Sequence, residues 1–103
     1  MQKYRVMIHG ENLLRQVDGV RQRFGFFTNV FVEAFTSADA ESRAIDILRE
    51  DAHLREAALN SDDDPLRFSA DEVHEIESFD GLRLPRQGLS LYEEKLDDSK
   101  DVA

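Results

Sequence analysis

Cysteine is absent from this chain of 103 residues. That removes disulfides, thiolate metal ligands and thiol nucleophiles together, and it fits a reducing compartment. The five glycines are scattered, so no phosphate-cradling loop is present. Serine nucleophiles lack a context as well. Gly88-Leu89-Ser90-Leu91-Tyr92 has no glycine after the serine, as a nucleophile elbow requires, and Ser37 has no such flank either. No apolar run approaches the length that spans a bilayer. The opening residues reach polar His9 and Gly10 too early for the apolar region of a signal peptide, so a cytoplasmic location is expected.

Positive charge is the other shortage. Thirteen Lys and Arg stand against 22 Asp and Glu, for a net charge of −9. The imbalance is uneven: residues 1–35 carry +2, residues 36–64 carry −6 and residues 65–103 carry −5. Such a chain repels a phosphate backbone at long range, so neither nucleic acid nor a membrane is an expected partner. Arg15, Arg21 and Arg23 form a local basic spot that reads as solvated surface.

What the chain does have is a 41% apolar fraction, enough for one modest core. A single compact domain is expected over residues 1–93, followed by an acidic, flexible C-terminal tail over 94–103. Five of the seven phenylalanines fall between Phe24 and Phe35. Tyr4 to His9 reads as a first strand ended by Gly10-Glu11-Asn12, with Leu13, Leu14 and Val17 folding back or forming one helical turn. Asp18-Gly19 is a turn signal. Phe24 to Phe35 reads as a long second strand with Phe24, Phe26, Thr28, Val30, Val32 and Ala34 on one face. Phe27, Phe31 and Phe35 lie on the other.

Thr36 or Ser37 caps the main helix, which has an apolar stripe of Ala40, Ala44, Ile47 and Leu48. A second short helical segment follows over residues 52–59, unless the two run on as one. Pro65 closes the acidic loop Asn60 to Asp64. Ser69 to Glu72 is compatible with a helical turn. Residues 73–79 read as a bulged third strand, because Val73, Ile76 and Phe79 recur every three residues. Leu89 to Glu93 makes a last strand. The expected fold is therefore a small α+β domain with an antiparallel sheet in the order strand-strand-helix-strand-strand, one main helix packing on the sheet. A ferredoxin-like plait is the alternative, and it needs a helix between strands one and two.

Three histidines are available for chemistry. His9 and His74 lie on strands that are candidates for neighbours, with Glu72 and Glu75 beside His74. Two imidazoles and a carboxylate form a possible transition-metal site with an open position. No His-x-His or His-x-x-x-His spacing supports it, so a small metal-dependent enzyme or metal-binding protein is the alternative reading. Asp62-Asp63-Asp64 ends in Pro65 and lacks the glycine turn of a calcium loop, so it reads as a solvated acidic loop. No cofactor is expected. The leading expectation is a non-catalytic interaction or regulatory domain. A strand apolar on both faces exceeds what one helix covers, which points to Phe27, Phe31 and Phe35 as an interface for a homodimer or another protein.

Overall fold

The computed structural model describes residues 1–94. Six elements follow in order: β1 (Gln2–Val17), β2 (Val20–Ala34), α1 (Ser37–Arg49), α2 (Ala52–Ala57), β3 (Arg67–Ile76) and β4 (Ser90–Glu93). The four strands form one antiparallel sheet in the spatial order β3-β1-β2-β4. This is a small α+β fold with two helices. The expected tail over residues 94–103 falls, from Lys95 onward, outside the described residues. Glu94 itself belongs to the body, since its amide donates to the Arg23 carbonyl at 2.9 Å.

The first strand does not stop at Gly10-Glu11-Asn12, and residues 13–17 form no helical turn. Between Gly10 and Leu13 the pairing slips by one residue, with Asn12 in the left-handed region at φ 67°. Asparagine tolerates that conformation, so the chain bulges and pairs on. The bulge also inverts the strand's alternation, which is why Leu13 joins Val6 and Ile8 in the core. At the tip, Asp18 (φ 52°) and Gly19 (φ 80°) link paired Val17 and Val20. Two positive φ angles in a two-residue loop make a type I′ turn, whose twist matches the flanking strands. The helix that a ferredoxin-like plait requires between β1 and β2 is therefore not formed.

Helix α1 begins where Thr36 Oγ1 accepts the Asp39 amide at 3.1 Å. It buries Ala40, Ala44 and Leu48 against the sheet. The alanines let it lie close to Val6, Ile8, Val30 and Val32. The helices stay separate because Asp51 takes an extended conformation and caps α2, its Oδ1 accepting the Leu54 amide at 3.1 Å.

Strand β3 begins at Arg67, earlier than its apolar spacing suggests, and Ser69 to Glu72 are extended. Its pairing with β1 slips between Met7↔Glu72 and Ile8↔Ala70, leaving Asp71 as the extra residue. A bulge there carries Phe68, Ala70 and Val73 onto the core side together. Ile76, opposite Lys3, takes the other face and Phe79 lies past the strand's end, so the recurrence of Val73, Ile76 and Phe79 does not mark a bulge within 73–79.

Both helices pack on one face of the sheet. The connection 77–89 travels from the β3 edge to the β2 edge, with Phe79 beneath Lys3 and the Pro85 carbonyl accepting the Phe31 amide at 2.8 Å. Arg86 Nε then meets Asp51 Oδ2 at 2.6 Å, both side chains only 13% exposed, tying this connection to the cap of α2.

Candidate functional site

The register sets out in cross-strand rows the face opposite α1 and α2, which is helix-free among the described residues. Ile76, Lys3 and Glu33 form the first, His74, Arg5 and Phe31 the second, Glu72, Met7 and Asn29 the third. Ser69, His9, Phe27 and Ser90 form the fourth, and the next is completed by Gly25 opposite Tyr92. Lys3 and Arg5 are balanced there by Glu33 and Glu72. This face is near neutral on a chain of net charge −9.

The four residues of the sequence-derived metal site do not converge. His9 and His74 share this face but sit at rows four residues apart along β1, roughly 13 Å at strand rise. Glu75 lies opposite Tyr4 and so takes the alternation of the helix side. His74 Nε2 is 2.8 Å from Glu72 Oε1, a local pair. Among the described residues no group of three His, Asp or Glu side chains is placed to hold a metal ion. Within the acidic loop, Asp64 is committed to Asn12 Nδ2 at 2.8 Å and to Arg23 at 2.8 Å, which hold its carboxyl below the usual aspartate range.

The three interface phenylalanines separate as well. Phe31 is 5% exposed, buried within its own chain. Phe35, at the strand's end, is 68% exposed. Phe27 is half-buried and stacks on His9, with ring centroids 4.5 Å apart and planes 9° from parallel.

Tyr92 completes this aromatic group. Its hydroxyl is hydrogen-bonded to His9 Nε2 at 2.5 Å, and its ring lies 5.9 Å from Phe27. The same ring occupies the space where a Cβ at position 25 would sit. Burial, with Glu94, Glu11 and Asp71 nearby, pushes the phenol above its ordinary value. A phenol held neutral is a poor nucleophile, and among the described residues no carboxylate is hydrogen-bonded to His9 to orient it. The trio suits contact more than chemistry. A 170 Å³ depression adjoins it, lined by Met7, Phe27, Asn29, Gln87 and Ser90 among others.

A second polar centre surrounds the β1 bulge. Asn12 is buried, and its side-chain amide donates to Asp64 Oδ1 and to the Pro65 carbonyl at 3.1 Å while its oxygen accepts from Arg23. Its backbone amide donates to Glu94 Oε2 at 2.7 Å, and its carbonyl accepts from Asn60 Nδ2 at 2.7 Å. Sequence reasoning missed both Asn12 and Tyr92. The available signal for Tyr92 was Gly25, a glycine amid aromatics inside a strand, which marks a close approach.

Comparison with protein-family models, curated proteins and solved structures found no match to this chain.

Proposed function

We propose that this chain is a non-catalytic protein-interaction domain of the cytoplasm that self-associates through the helix-free face of its sheet. The observation that carries this reading is the group of half-buried and exposed side chains there, Met7, His9, Phe27 and Tyr92, spread over adjoining rows of a face that no helix among the described residues covers. Charge favours the same face. Two copies of net charge −9 repel at long range, and the contact between them is least costly where Lys3 and Arg5 offset Glu33 and Glu72. Phe31 has left the proposed contact because its own chain buries it. Phe27 and exposed Phe35 remain in it.

Light scattering across a concentration series tests this reading. The chain is expected to form a dimer, and added salt to tighten it by screening the net repulsion. Met7→Glu places an unpaired carboxylate in the contact and Phe35→Asp another at its end. Each is expected to weaken the dimer at least about tenfold, an effect of about 1.4 kcal/mol. A species that stays monomeric at every concentration and salt level overturns it.

A further inference from the structure

We propose that β4 is an exchangeable strand: residues 90–93 of one copy seat on the β2 edge of a second copy, so that each His9–Phe27 site is completed by the other chain's Tyr92. Such exchange presupposes the self-association proposed above and specifies its route.

A donor, a receptacle and a hinge are all present. The donor is short, and all four of its residues are exposed. Beyond its ladder, side-chain hydrogen bonds hold it and the residue that follows: Tyr92 to His9, Glu93 to Gln22 Nε2 at 2.6 Å, and Glu94 to the Asn12 amide. None of these depends on the donor belonging to the same chain. The receptacle is built from β1 and β2, namely the edge from Phe24 to Phe27, the missing Cβ at Gly25 and the stacked pair of Phe27 and His9. The hinge is Gly88. Just before it, Gln87 is pinned, its amide donating to the Asn29 carbonyl at 3.0 Å and its carbonyl accepting from Thr28 Oγ1 at 2.9 Å. Gly88 itself has open space around it, with nothing within 4 Å of an added Cβ.

In a reciprocal dimer every β4 contact forms once per chain, so exchange sacrifices none of them. The remaining opposition is the association entropy and the charge of −9 on each copy. The intrachain seat competes at an effective concentration on the order of mM, so refolding at about 1 mM puts the two arrangements on comparable terms.

The cysteine-free sequence makes the test direct. Phe24 and Glu93 are register partners, and the Glu94 amide bond to the Arg23 carbonyl shows that the neighbouring pair is the hydrogen-bonded one. A non-hydrogen-bonded pair brings Cα atoms to about 4.5 Å, within disulfide reach. The double variant Phe24→Cys, Glu93→Cys is unfolded, refolded at about 1 mM, oxidised and run on non-reducing denaturing electrophoresis. A covalent dimer making up a substantial share of the product, on the order of half, is expected. Closed monomers alone overturn the exchange. If the unmodified chain scatters light as a dimer while the variant closes as monomers, face-to-face association stands and exchange fails. Monomers in both measurements sink both. Should circular dichroism show that Phe24→Cys does not fold, Phe27→Cys with Ser90→Cys, register partners at the other end of the same pairing, probes the same seam.

Discussion

Replacing Asn12 separates two contributions that the bulge combines. The residue is 6% exposed and holds φ at 67°. Counting only its side-chain bonds to Arg23 and to the Pro65 carbonyl, at about 1 kcal/mol each, truncation costs about 2 kcal/mol. In Asn12→Ala a Cβ must also occupy the left-handed region without a side chain to stabilise it, which adds about 1–2 kcal/mol. Asn12→Gly loses the same bonds but removes that strain, and gains only an unfolded-state entropy penalty of about 0.5–1 kcal/mol. The expected order is unmodified chain, then glycine, then alanine, with the last two separated by about 0.5–1 kcal/mol. Glycine outranking alanine reverses the usual strand preference, so the sign is diagnostic. Urea unfolding followed by circular dichroism reads it out. At a slope of about 1.5 kcal/mol per molar, Asn12→Ala lowers the midpoint by about 2 M. Alanine equal to or better than glycine would refute the strain, and two variants within about 0.5 kcal/mol of the unmodified chain would refute the network.

Gly10→Ala is expected to destabilise by about 1–3 kcal/mol, because its Cβ meets the ring of fully buried Phe26, whereas Gly88→Ala meets nothing and is expected to be near neutral in the same unfolding assay. Asp51 and Asp64 titrate below the ordinary aspartate value of 3.8, Asp51 through its Arg86 hydrogen bond and Asp64 through Asn12 and then Arg23. Lowered folded values mean that their stabilisation is complete above that ordinary value and is lost as pH falls through the folded ones. Unfolding midpoints are therefore expected to fall below about pH 4, and Arg86→Ala to flatten that decline; an unchanged acid slope in Arg86→Ala would contradict the pairing.

The elements most legible in the sequence were those set by short-range rules. Thr36 capping Asp39, the stripe of Ala40, Ala44 and Leu48, and the inward face of β2 all follow from spacing within a few residues. The bulges were harder. At Asn12 the signals for a strand end and for a bulge are the same residues, and only pairing across to Phe24 and Phe26 decides between them. At Asp71 no apolar spacing reported the bulge, since the recurrence of Val73, Ile76 and Phe79 lies past it and runs beyond the strand's end. The aromatic trio depends on register between residues 83 positions apart, which no local pattern reports. His9 and His74 lie apart for the same reason, since neighbouring strands do not ensure neighbouring rows.

The two inner strands of the sheet, β1 and β2, are also the first 34 residues of the chain, closed by a two-residue turn. The centre of this sheet is thus its most local part, and loop closure costs it least. During synthesis the hairpin is complete before either helix exists to cover it, leaving Val6, Ile8, Phe26 and Val30 temporarily bare. Arrival of α1 follows at once in sequence, and the two outer strands come last. Growth from the middle outward leaves β4, the last element among the described residues, as the one whose docking every earlier step can do without.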